Sequence, residues 1–156
     1  MIDQDLARAG WNAAKRTLIE EFSVGIQSDD PRNHPEFADY ALLGSDGTPI
    51  AIVEAKRSSR DELAGKRQAS DYADRISARF GQDPFIFLTN GQTIQFWDRE
   101  RYPPRRIAGF YTRDDLERLR HQRHFAEAFG AITINPDIAG RDYWSSHHAF
   151  RNQSRR

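Results

Sequence analysis

The sequence predicts an α/β fold with a mixed central sheet flanked by helices. Three observations carry that expectation. Two apolar, strand-like runs, Phe37–Leu43 and Pro49–Lys56, flank a turn containing Asp46-Gly47, a strong short-range hairpin signal. The second run is rich in Val, Ile and Ala on both faces, the mark of a central strand. An amphipathic helical stripe follows, and directly after it a hydrophobic strand, Pro84–Thr89. A strand arriving straight after a helix implies a crossover back onto the same sheet, beside which the hairpins lie antiparallel.

In chain order, Ile2, Leu6 and Ala9 share one helical face, Gly10 can end that helix, and Trp11 is expected to pack behind it. Thr17–Val24 reads as a first strand, with Leu18, Glu20 and Phe22 on one face and Ile19, Glu21 and Ser23 on the other. Either Glu20 or Glu21 faces the site described below or lies on a solvated strand face. Residues 25–35 read as a loop. With Asp46 and Gly47 at the centre of a type I′ turn, the hairpin pairs Leu43 with Ile50 and Ala41 with Ile52. Asp39 then lies opposite Glu54. Directly opposed side chains lie roughly 4.5–5.5 Å apart at Cβ, so two carboxylates repel there. Alternation puts Lys56 on the face of Glu54. A divalent cation with hard oxygen ligands removes the repulsion, Mg²⁺ being the ordinary choice. The same residues also read as a strand-end aspartate and an exposed edge ion pair, and the pattern alone leaves both readings open.

Beyond the hairpin, Ser58–Asp61 offers N-cap residues, and Ala69, Tyr72, Ala73, Ile76 and Phe80 form the apolar stripe of a helix closed by Gly81. Gln68 and Tyr72 stand one turn apart and reach one spot. Lys66 and Arg67 read either as phosphate contacts or as solvated charges. Asn90-Gly91 marks a second hairpin, with Thr93–Trp97 as partner strand. The Tyr102–Arg106 stretch, with Pro103-Pro104, is expected to be irregular. Arg99, Arg101, Arg105 and Arg106 there read as a phosphate grip or as a solvated loop. Thr112 and Asp115 signal a helix start, with Leu116, Leu119, Phe125, Ala128 and Phe129 as its buried side. His121 and His124, alone, make an incomplete metal site.

The order of these features resembles a known pattern. Asp39, then Glu54-Ala55-Lys56, then Gln68 and Tyr72 in a Q-x-x-x-Y helix, resembles the PD-(D/E)xK nucleases. The stretches 5–11, 36–57, 66–76, 84–91 (ending Thr89-Asn90-Gly91) and 94–100 resemble the amino-terminal nuclease domain of the type I restriction enzyme R subunit, and the likeness runs from Ile2 to Tyr143. The resemblance implies a restriction-endonuclease-like fold and a Mg²⁺-dependent DNA endonuclease domain, with Mn²⁺ as a substitute. It implies a metal held by Asp39, Glu54 and the carbonyl of Ala55, with Lys56, Gln68 and Tyr72 completing the catalytic set. It implies DNA as substrate, and methyltransferase and specificity subunits as partners. In that family a further acidic residue usually comes from a preceding helix, for which Asp3 or Asp5 would have to substitute. Residues 134–143 resemble the linker into an ATP-driven motor, so the expectation is of a fragment or truncated subunit. On that view 1–130 is the nuclease-like domain and 131–156 a linker and disordered tail.

Composition bounds the rest. The chain has 156 residues, Lys+Arg 23 against Asp+Glu 23, and no cysteine. Disulfides, thiolate metal sites and cysteine nucleophiles are excluded. Zero net charge disfavours strong autonomous DNA binding and keeps open an alternative, a non-catalytic docking module of a restriction-modification complex. No phosphate-loop motif is present, so ATP binding in that manner is not expected. Without an apolar membrane span or signal layout, the expected location is cytoplasmic.

Overall fold

A computed structural model describes residues 1–25, 35–56 and 62–130. Its centre is the strand Pro49–Ala55 (β3 in chain order), whose first six residues are buried. The elements before it are a helix, α1 (Ile2–Arg8), and two strands, β1 (Leu18–Gly25) and β2 (Glu36–Leu43). After it come α2 (Glu62–Phe80), β4 (Phe85–Thr89), β5 (Ile94–Trp97), β6 (Arg105–Ile107) and α3 (Arg113–Gly130). Six strands form one sheet in sequence order. Only β3 and β4 run parallel, with α2 as their crossover; the other neighbours are antiparallel. The expected α/β class and mixed sheet are therefore present. The chain divides into two units, Met1–Leu119 and Arg120–Arg156; the expected linker and tail, 131–156, lie outside the described residues.

Strand periodicity builds a core on each side of the sheet. Leu42, Val53, Phe87 and Phe96 point to one side, with Leu6 and Trp11 packed on them. Phe85, Phe87, Phe96, Phe110 and Tyr111 make successive ring contacts there, with centroids 4.8–6.1 Å apart. Ile52, Ile86 and Leu88 point the other way and take the stripe of α2, Ala69, Tyr72, Ala73 and Ile76. Gly10 does end the first helix in the left-handed region, at φ +89°, and Trp11 is buried with its indole N–H donating to the Tyr111 carbonyl at 2.9 Å.

The hairpin differs from expectation in an instructive way. Gly47 N–H donates to the Gly44 carbonyl and Gly44 N–H to that of Thr48, so the loop has three residues; Gly47 alone of the Asp46-Gly47 pair has positive φ, +77°. This is a type I turn followed by a left-handed glycine, not the expected two-residue type I′ turn. Leu43 consequently pairs with Pro49, not Ile50. A bulge at Ile50 then takes up the extra residue, and Leu42–Ala51, Ala41–Ile52 and Tyr40–Val53 stand in the expected register.

Three further expectations need correction. Strict alternation along β1 fails: Leu18 packs in the first core, whereas Phe22 and Val24 pack in the second. The changeover falls at Glu21, which sits at φ +48°. Arg105 and Arg106 are in regular structure, as edge strand β6 on β5. The two prolines forbid pairing only at their own positions and leave the next residues extended and free to pair. On α3, Leu116 is buried, but Phe125 and Phe129 are exposed and contact each other instead. The start of that helix is as expected: Thr112 and Asp115 cap one another.

Candidate active site

The site forms where β3 ends. Tyr40–Val53 is the last rung of the β2–β3 ladder. One residue on, the Asp39 side chain takes the place of a backbone acceptor: its Oδ2 accepts the Ala55 N–H at 2.6 Å. On the other side of β3, the ladder with β4 continues, and the Lys56 N–H donates to the Thr89 carbonyl at 2.7 Å. Thr89 is itself braced by the following turn, its hydroxyl accepting from Gly91 N–H and donating to the Thr93 carbonyl. The backbone of Ala55 and Lys56 is thus fixed from both neighbouring strands.

From this platform a chain of side chains runs toward α2. Lys56 Nζ donates to Glu54 Oε1 at 2.9 Å and to Gln68 Oε1 at 2.7 Å, and Gln68 Nε2 donates to the Tyr72 hydroxyl at 2.5 Å. The structure brings all five sequence-predicted side chains together: Asp39 on β2, Glu54 and Lys56 at the end of β3, Gln68 and Tyr72 on α2. A cleft of about 270 Å³ opens beside them, lined by Arg67, Gln68, Tyr72 and Arg75, with Glu36 paired to Arg75 at 2.6 Å.

Electrostatics single out Glu54. It is 4% exposed. Burial pushes its carboxyl above the ordinary value, the neighbouring Asp39 charge adds to this, and the bond and charge of Lys56 oppose it. Its Oε2 is buried and has no hydrogen-bond partner among the described residues. A buried carboxylate oxygen without a donor, next to a second carboxylate, is what a divalent cation would satisfy. The residues present fit a hard cation: Asp39 and Glu54 would hold it, with the Ala55 carbonyl. Among the described residues no group of three His, Cys, Asp or Glu could hold a metal. His124 faces Glu127 at 3.9 Å.

The chain resembles proteins already known at this point. The family of the type I restriction enzyme R protein N terminus matches residues 7–105. The chain belongs to that family. A solved structure, "The fragment structure of a putative HsdR subunit of a type I restriction enzyme from Vibrio vulnificus YJ016", is 28% identical, with a TM-score of 0.55 over 75% of this chain. The match covers 23% of that chain, so this sequence spans about a quarter of its length. No curated protein matches. Family membership and the solved relative agree with the restriction-endonuclease-like fold.

Other candidates of this R-protein N terminus sort differently. Asp3 accepts the Tyr40 hydroxyl at 2.7 Å, one residue from Asp39. Burial, then the Asp3 bond and the charges of Asp3, Glu20 and Asp39, push the Tyr40 phenol up and keep it a donor. Asp5 instead pairs with Arg8 at 3.1 Å. Arg99 is no phosphate grip: it bonds Asp83, Asp74 and Ser70, tying α2 to the loop after β5. Lys66 Nζ lies 5.0 Å over the Trp97 ring. Arg105 stacks on Tyr102. No helix among the described residues is long and apolar enough to cross a membrane. Sequence reasoning missed Thr89 as a brace for Lys56; the Thr-Asn-Gly turn after an apolar strand was its signal.

Proposed function

We propose that this chain is the Mg²⁺-dependent DNA endonuclease domain of a type I restriction R subunit. The observation that carries the reading is the hydrogen-bonded run Glu54–Lys56–Gln68–Tyr72 beside an Asp39 pinned to the Ala55 N–H. When bound, Mg²⁺ (or Mn²⁺) would polarise the scissile phosphate and lower the pKa of a coordinated water. The residues do the rest. Asp39 and Glu54 supply the negative oxygens, and the strand backbone keeps them from relaxing apart. Described residues take two of the three Lys56 N–H donors; the third would orient the attacking water or donate to the phosphoryl oxygen that gains charge. Gln68 fixes Lys56, and Tyr72 fixes Gln68. The Arg67–Arg75 cleft would follow the DNA backbone. Within a cytoplasmic assembly, methyltransferase and specificity subunits would select the DNA, and a motor would deliver it.

Nicking of supercoiled plasmid, with Mg²⁺ or Mn²⁺ and in EDTA, tests this. The parent should nick only with metal. Asp39→Asn, which keeps an acceptor for the Ala55 N–H, should remain folded and lose nicking. Asp39→Ala should lose nicking and also about 1–3 kcal/mol of stability, because that N–H is left without a partner. Full nicking by Asp39→Asn would remove Asp39 from the site.

A further inference from the structure

Gly65 lies in the first turns of α2 and is buried, directly against the side chain of Lys56. A Cβ placed on Gly65 would stand 2.6 Å from Lys56 Cε, 2.9 Å from Cγ and 3.2 Å from Cδ. Ordinary contact begins near 3.4 Å, so Cε would have to recede by about 0.8 Å. It has little room to do so, because Nζ is tied to Glu54 at 2.9 Å and to Gln68 at 2.7 Å.

No positive φ explains this glycine: Gly65 is helical and has no left-handed backbone to accommodate. A glycine inside a helix is a poor choice on propensity alone, and a helical glycine often marks a close approach. We infer that Gly65 is a positioning residue, a slot in the helix surface that lets the Lys56 stem lie against α2 and aims Nζ at the cleavage centre. It touches no substrate and acts only through Lys56. The inference rests on the nuclease reading for its consequence in activity, but the packing it describes has its own readout.

The experiment is a double-mutant cycle of Gly65→Ala and Lys56→Ala on the full chain, read by thermal melting and by plasmid nicking. In the Lys56→Ala background the slot is empty, and Gly65→Ala should raise Tm by roughly 2–4 °C through helix propensity. In the parent background that gain should shrink or vanish. Nicking by the folded Gly65→Ala protein should fall roughly 10- to 100-fold, as displacements of this size do to an aligned catalytic group. The loss should appear in kcat with KM little changed. Equal Tm gains in both backgrounds, or unchanged kcat, would overturn the inference. If the parent itself does not nick DNA, the nuclease reading falls, and unequal Tm gains still establish the Gly65–Lys56 slot.

Discussion

Replacing Lys56 by methionine, which keeps the length of the apolar stem, should destabilise the domain at neutral pH and much less in acid. The cause is Glu54. Its side chain is 5% exposed, one oxygen accepts from Lys56 and the other accepts nothing from the described residues. Without Lys56 a buried carboxylate is left with no donor among the described residues. Breaking a buried ion pair by removing one partner costs about 3–5 kcal/mol. The Lys56 side chain is 27% exposed, so solvent already screens the pair and about 2–3 kcal/mol is the better figure. For a chain of this size that is a fall in Tm of roughly 6–9 °C. The pH dependence follows from the direction of the Glu54 shift. Burial holds its carboxyl above the ordinary value and Lys56 pulls it down, so the variant's carboxyl rises further. A group raised on folding favours the folded state below its unfolded value, and that contribution is lost as pH rises through the folded value. The deficit against the parent should therefore be largest near pH 7–8 and close as pH falls toward about 5. Circular-dichroism melting across that range measures it. Glu54→Gln combined with Lys56→Met should recover most of the loss at neutral pH. A deficit that does not change with pH, or no deficit at all, would refute a buried Glu54 anion held by Lys56.

In the proposed site, protons and Mg²⁺ would compete for the same Glu54 oxygen. Metal affinity, measured by calorimetry, should start to fall while pH is still above the ordinary carboxyl value of 4.5; affinity unchanged down to that value would contradict the buried site. At the hairpin tip, Gly47→Ala forces a β-carbon into φ +77° and should cost about 1–2 kcal/mol in urea unfolding. It should leave nicking per folded molecule unchanged; a loss of nicking in the folded variant would tie the tip to catalysis.

Much of the site was legible because it depends on period and order. Alternation placed Glu54 and Lys56 on one side of β3, and one helical turn placed Tyr72 over Gln68. Both are local rules that tertiary packing did not override. The register from Leu42–Ala51 to Tyr40–Val53 is as expected although the turn is not, because a longer loop and a bulge one rung later offset each other. No rule of turn chemistry foretells that compensation. The kink at Glu21 was illegible for a related reason: it is set by the need of one ribbon to serve two cores, not by the preference of a glutamate. Arg99 was grouped with its sequence neighbours, whereas its acidic partners come from α2 and from the loop before β4, which only the crossover brings close. Phe125 and Phe129 matched a helical stripe, but a stripe states which residues share a face, not that anything covers it. Gly65 carried a signal in plain view, a glycine within an otherwise good helix pattern.

The bulge at Ile50 has a practical outcome for anyone who edits this chain. Hairpin tips are where insertions, tags and trimmed loops usually go, since they tolerate changes in length. Here the bulge leaves the stretch between Leu42 and Ala51 one residue to spare. Removing Ile50 alone would leave Gly44–Thr48, Leu43–Pro49 and Leu42–Ala51 paired, since the bulged residue is the extra one in the ladder. A one-residue trim of this hairpin is thus a change the ladder can absorb, with Ala41–Ile52 and Tyr40–Val53 still in register below it.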